Sequence, residues 1–245
     1  EIRLSLVGSE MCIRDRLYRG ERELCFLPLA HAYSCAFNFL VPMAVGAHVY
    51  LLGKVPSPKI LLKAFEEVKP NLILTVPLIL EKIYKKMILP QLSKTTMKVA
   101  LNIPLLDSRI YAQIRKKLVD AFGGRFREVI VGGAAMNEEV TNFLYKIKFP
   151  FTIGYGMTEC GPLISYDHND EYVPGSCGQI LKGIMKVRID SEDPYNKVGE
   201  IQVSGENVMK GYYKNEEATS KVFTEDGWLR TGDLGTIDAD NRIYI

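Results

Sequence analysis

What this 245-residue chain lacks narrows its function first. It has no surplus of charge: 31 lysines and arginines stand against 29 aspartates and glutamates, a formal net charge of +2. There is no basic stripe with interleaved aromatics, so nothing offers a nucleic-acid backbone an electrostatic footprint, and nucleic acid is excluded as a partner. The five cysteines (Cys12, Cys25, Cys35, Cys160 and Cys177) include no C-x-x-C pair and no metal-ligand spacing. A scattered, odd set in a chain this long fits a reducing cytoplasm. No G-x-G-x-x-G follows the first strand, which argues against a dinucleotide-dependent oxidoreductase. Internal repeats and low-complexity tracts are missing as well.

One stretch lacks charge altogether. Residues 32–53 hold no Asp, Glu, Lys or Arg. Asn38, Pro42, Gly46 and His48 interrupt the run, which reads as a buried helix followed by a buried strand over 47–52 rather than a membrane span. Residues 1–16 lack the long apolar segment of a secretory signal and carry charges throughout. They resemble the translation of a sequencing-adapter read, so they are expected to be a non-native leader, with the genuine sequence resuming near Leu17.

With 47% hydrophobic residues, the chain has ample material for a core. An α/β region is expected over 17–165, within which residues 30 to about 155 alternate helix and strand. Ser57-Pro58 starts a helix with Leu61, Leu62, Phe65 and Val68 on its apolar face. A buried strand is expected over 72–76, and Pro77 opens a helix bearing Ile79, Ile83 and Met87. A longer helix runs over 109–122 and closes at Gly123-Gly124. A strand follows at 129–131, then a helix capped by Asn137 with Val140, Phe143, Leu144 and Ile147 on one face, then a strand at 149–153. Such alternation predicts an α/β fold with parallel βαβ layers. Over 166–245 the period changes to two, as in Met185, Val187 and Ile189, and Asp240-Asn241 reads as a hairpin turn. That predicts a β-rich subdomain.

In parallel sheets, ligands sit beyond the carboxyl ends of the strands. Two glycine loops fall there: Gly132-Gly133 after one expected strand, and Gly154-Tyr155-Gly156-Met157-Thr158-Glu159 after the next. Strands adjacent in sequence are often neighbours in space, so these loops are expected to form facing walls of one pocket. Glycine lets a backbone approach a ligand closely. Tyr155 offers a ring for a base, Thr158 a hydroxyl for a phosphate, and Glu159 a hard oxygen for Mg²⁺. A tight turn with an incidental glutamate is the competing reading of this loop taken alone.

The loop resembles the signature of the adenylate-forming, AMP-binding superfamily, which includes acyl-CoA synthetases. Four more segments match in the family's order. Phe26-Leu27-Pro28-Leu29-Ala30-His31 resembles its Leu-Pro-Leu-x-His segment, and Val131-Gly132-Gly133-Ala134-Ala135 its adenine loop. Gly199-Glu200-Ile201 through Gly211-Tyr212 resembles its Gly-Glu…Gly-Tyr stretch, and Trp228-Leu229-Arg230-Thr231-Gly232-Asp233 its Trp-x-x-Thr-Gly-Asp element. The resemblance covers nearly everything after residue 24.

The resemblance implies that a carboxylate attacks the α-phosphate of ATP, and that coenzyme A then takes the acyl group. Thr158 would hold the α-phosphate and Glu159 would ligate Mg²⁺. Gly133, Ala134 and Tyr155 would line the adenine slot, and Gly132, Gly154 and Gly156 would bind the nucleotide with them. Asp233 would accept hydrogen bonds from the ribose hydroxyls, although a plain turn aspartate is the other reading of Thr-Gly-Asp. His31, just after a strand-like Leu27-Pro28-Leu29, would orient the acyl group. Tyr212 and Trp228 read as core aromatics, and Cys160 as a buried thiol rather than a nucleophile. The uncharged surroundings of His31 suit an aliphatic acid, since each buried methylene contributes about 0.8 kcal/mol. Val76-Pro77 through Glu81-Lys82-Ile83-Tyr84 resembles a segment of long-chain fatty acid–CoA ligases, which makes a long-chain fatty acid the expected substrate, ahead of medium-chain or aryl acids. A cytoplasmic enzyme with peripheral membrane contact is implied. The family's phosphate loop, hinge and lysine-bearing C-terminal domain have no counterpart in these 245 residues. The chain as given is therefore expected to bind AMP or ATP without turning over.

Overall fold

A computed structural model describes residues 16–101, 103 and 106–245. The leader reading falls outside those residues, except for Arg16. Arg16 donates from Nε to His168 Nδ1 at 2.8 Å, and its carbonyl accepts from the Arg127 guanidinium. Leu17, next to it, is buried.

Strand β1 (Arg22–Cys25) pairs in parallel with β2 (His48–Leu51), in register from Arg22 opposite His48. Strands β3 (Ile73–Thr75), β4 (Val129–Val131) and β5 (Phe151–Ile153) form a second parallel set in that spatial order. A parallel bridge from Glu23 to Leu72 links the two sets. Alternation within these short strands sends side chains to two faces. Ile73, Val129, Val131, Phe151 and Ile153 belong to one core cluster, while Leu72, Leu74 and Ile130 belong to another.

The first cluster is covered by α2 (Pro58–Val68), α3 (Pro77–Met87), α4 (Leu106–Ala121) and α5 (Glu138–Lys146), which present Phe65, Ile83, Leu118 and Leu144 to it. Local chemistry fixes where these helices begin. Ser57 accepts from Ile60 N at 3.4 Å and Asn137 from Val140 N at 3.2 Å, each satisfying an amide that the first helical turn leaves unpaired. On α2, Leu61, Ala64, Phe65 and Val68 are buried at helical spacing, about 1.5–3 kcal/mol for each large side chain.

The second cluster packs against α1, which runs from Ala32–Ser34 through a π-helical segment, Cys35–Leu40, to Val41–Val45. The same cluster takes in an antiparallel sheet built from β8 (Met185–Asp190), β9 (Gly199–Gly205), β10 (Leu229–Ile237) and β11 (Ile243–Tyr244). A short antiparallel pair, β6 (Tyr155–Gly156) and β7 (Leu163–Ser165), lies next to β5 in sequence. Helix α6 (Glu216–Val222) sits between β9 and β10 in the chain. The architecture is the α/β arrangement that the alternation predicts, parallel layers followed by a β-rich region.

Three expectations need correction. The strand after α1 is not buried. β2 lies at the sheet edge with β1 as its neighbour, leaving Tyr50 and Leu51 exposed, Leu51 at 61%. Its hydrophobicity alone could not distinguish an edge from a centre. The Leu27-Pro28-Leu29 segment is a turn rather than strand-like: β1 ends at Cys25, and His31 N donates to Pro28 O at 3.1 Å. Trp228 is only half-buried, its ring lying under the Arg188 guanidinium at 4.6 Å. Among the described residues, no helix is long and apolar enough to cross a membrane.

Candidate active site

The two glycine loops meet because β4 and β5 are parallel neighbours. Val131 lies opposite Ile153, and Gly154 N donates to Val131 O at 2.9 Å. Both loops line the same cavity, as the strand order predicts, and they do so twice. Gly133, Gly154, Tyr155 and Gly156 form a wall shared by two cavities.

The first cavity, about 370 Å³, is walled by Leu27, His31, Tyr33, Phe37, Val76, Gly132, Thr158 and Leu163 among others. Tyr33 closes one side. Its hydroxyl donates to Ile130 O at 3.2 Å, and its ring meets Phe37 edge-on at 5.9 Å. His31 precedes α1 in an extended conformation, φ −87°, and its carbonyl accepts from Cys35 N. Its side chain is exposed at the cavity.

The second cavity, about 670 Å³, is lined by Gly133, Ala134, Ala135, Asn142, Tyr172, Ser176 and Asp233. Asp233 reaches it from β10, where the register against β9 shifts between Arg230 and Leu234. Such a bulge re-aims a side chain that regular alternation would direct elsewhere. Tyr155 OH donates to Asp233 Oδ2 at 2.7 Å, and Asp233 N donates to Thr231 Oγ1 at 3.1 Å. Burial, followed by the neighbouring carboxylate, pushes the Tyr155 phenol well above its ordinary value, so it remains a proton donor to Asp233.

Close backbone packing holds the shared wall. A Cβ on Gly156 would sit 1.9 Å from Pro162 O and 3.0 Å from Leu163 Cα, so only glycine fits where β6 meets β7. Cys160 is fully buried behind this turn. Burial, then the charge of Glu159, pushes its thiol up to about 12, in keeping with a packing role.

Every expected site residue except Glu159 lines one or both cavities. Glu159 sits outside both linings, in the 3₁₀ turn Thr158–Cys160, half-buried. Its Oε1 accepts from Tyr212 OH at 2.8 Å. Tyr212 is therefore not a core aromatic, since it lies on the surface with its hydroxyl on this carboxylate, which raises the phenol's pKa. The Glu159 carboxylate has the donor chemistry that Mg²⁺ takes. It supplies a hard oxygen, and among the described residues no cluster of three His, Cys, Asp or Glu side chains forms a protein cage.

A parallel sheet with glycine loops at its carboxyl ends, a carboxylate re-aimed by a bulge, and an apolar cavity alongside define an α/β protein with two cavities on one glycine wall. The chain belongs to the AMP-binding enzyme family, whose model matches residues 4–213. It is 29% identical to long-chain-fatty-acid–CoA ligase 1 of Saccharomyces cerevisiae, over 97% of this chain and 37% of that protein. It is 31% identical to 4-coumarate-CoA ligase 1 of Narcissus pseudonarcissus, over 91% of this chain and 37% of that one. The chain thus spans just over a third of the length of these relatives. Its fold matches Bacillus subtilis O-succinylbenzoate coenzyme A synthetase solved with ATP and magnesium ion, at a TM-score of 0.71 and 22% identity, covering 98% of this chain and 44% of that one.

Proposed function

We propose that this chain forms the nucleotide- and acyl-binding part of an AMP-forming acid–CoA ligase, with a long-chain fatty acid as its acid substrate. The observation that carries this reading is the shared wall. One side is an apolar cavity with His31 and Thr158, and the other is a larger cavity with Ala134 and Asp233. A carboxylate in the first and a nucleotide in the second would meet across Gly154, Tyr155 and Gly156. That proximity is what an acyl-adenylation needs from a protein.

In the reaction, an oxygen of the fatty carboxylate bonds to the α-phosphorus of ATP, and the bond to pyrophosphate breaks. The sulfur of coenzyme A then bonds to the acyl carbon and AMP leaves, the thiol proton passing to solvent. Asp233, oriented by Tyr155, would accept from the ribose hydroxyls. Gly133 and Ala134 would flank the base, Thr158 would donate to the α-phosphate, and His31 would orient the acyl carboxylate. Mg²⁺ held by Glu159 would neutralise phosphate charge.

The aromatic pair Tyr33 and Phe37 in the apolar cavity favours a second reading, an aryl acid of the 4-coumarate type. Isothermal titration of the chain separates the two. The first reading expects ATP binding that Asp233→Ala weakens, and fatty-acid affinity that rises with chain length. Tighter binding of 4-coumarate than of any fatty acid would favour the second. Nucleotide binding indifferent to Asp233→Ala would refute both.

A further inference from the structure

The segment after β9 braces the Thr158–Cys160 turn at three points. Buried Asn207 donates from Nδ2 to Cys160 O at 2.7 Å and to Leu163 O at 2.8 Å. Met209 N donates to Glu159 O at 2.7 Å. Tyr212 OH donates to Glu159 Oε1 at 2.8 Å. The segment is itself fixed to α6, because Tyr212 N donates to Thr219 Oγ1 at 2.9 Å. Gly211 permits this with a φ of +145°, and a Cβ there would lie 2.7 Å from Thr219 Cγ2. Backbone and side chain of one glutamate are thus gripped by one short segment, and that segment is anchored to a helix.

We infer that Tyr212 is a positioning residue for Glu159, holding Oε1 so that Oε2 is presented to a divalent cation on the nucleotide phosphates. This rests on the metal role proposed for Glu159. A carboxylate at the end of three rotatable bonds, half-exposed, samples several rotamers in water, and a hydrogen bond to one oxygen selects among them. Outer partners of this kind orient a ligating group, and losing one typically costs about 10-fold or more in metal affinity. Because the hydroxyl touches only the carboxylate in this network, its loss should leave metal-free nucleotide binding alone.

The test measures ATP affinity of the chain by isothermal titration across a Mg²⁺ series, for wild type, Tyr212→Phe and Glu159→Gln. Wild type should bind ATP more tightly as Mg²⁺ rises. Tyr212→Phe should need about 10-fold more Mg²⁺ for the same gain, reach the wild-type affinity at saturating Mg²⁺, and match wild type without metal. Glu159→Gln should lose the Mg²⁺ gain. If Tyr212→Phe follows the wild-type Mg²⁺ curve while Glu159→Gln does not, the positioning role is refuted and the metal role stands. If Tyr212→Phe weakens metal-free and metal-bound ATP equally, the hydroxyl is merely structural and the inference fails. A Mg²⁺ gain that survives Glu159→Gln, or is missing from wild type, overturns the metal role and the positioning role with it.

Discussion

Replacing Gly156 by alanine should damage stability and ligand binding together, because the same backbone approach serves both. The added Cβ would lie 1.9 Å from Pro162 O and 2.9 Å from Pro162 C. Neither atom is the end of a flexible side chain, so β6 and β7 must part by about 1 Å to restore ordinary contact. Overpacking of this kind costs about 1–3 kcal/mol, and loosening the hydrogen bonds between the two strands adds about 1 kcal/mol more. The expected loss is therefore about 2–4 kcal/mol, a shift of about 1 M or more in urea midpoint. Gly53→Ala is the control: a Cβ there meets nothing within 4 Å, so it should leave stability unchanged or slightly raised. The same strand displacement moves the wall between the cavities, so Gly156→Ala should also weaken ATP binding by at least about 10-fold. A Gly156→Ala protein as stable as the control, with ATP affinity intact, would refute the argument from backbone approach.

Other perturbations probe separate parts of the site. Tyr155→Phe keeps the ring but frees Asp233 Oδ2, and a lost hydrogen bond to a charged group should weaken ATP binding by about 10-fold while leaving adenine binding unchanged; equal losses for both ligands would contradict this. Burial lifts the Glu23 carboxyl well above its ordinary 4.5, an effect that the Asn38 amide at 2.6 Å only partly offsets. The folded state then keeps a proton that the unfolded chain releases, so this contribution to stability is complete below pH 4.5 and is lost as pH rises through the elevated folded value. Denaturation followed upward from pH 4.5 should show that decline in wild type and a flatter profile in Glu23→Gln; parallel profiles would remove Glu23 as its source. Cys160, buried and with its thiol pushed up to about 12, should resist alkylation at neutral pH in the folded protein. Labelling there as fast as in the unfolded chain would show that the turn opens.

Much of this architecture was legible because local signals agreed with the global fold. Ser57 and Asn137 begin helices as their chemistry predicts, and the buried residues of α2 and α5 follow the helical period. Gly132-Gly133 and Gly154–Gly156 flag the carboxyl ends of adjacent strands. What escaped depends on tertiary placement. The exposure of β2 follows from strand order, which hydrophobicity does not encode. The meeting of Tyr155 with Asp233, 78 residues away in sequence, was not readable from local pattern. The role of Tyr212 was hidden for the same reason: its partner Glu159 is 53 residues away, and an exposed tyrosine on a carboxylate is spelled like a buried one. The Gly211-Tyr212 pair was the available signal, because glycine readily takes the positive φ found at position 211.

The central claim is that a nucleotide and an acyl chain occupy two cavities joined at one glycine wall. A non-hydrolysable acyl-adenylate analogue with a long saturated chain tests this most directly. By titration it should bind this chain far more tightly than AMP does, since three buried methylenes alone add about 2.4 kcal/mol, more than tenfold in affinity. The gain should shrink as the chain is shortened, and Asp233→Ala should weaken the analogue and AMP alike. An analogue that binds no more tightly than AMP, at any chain length, would contradict the account.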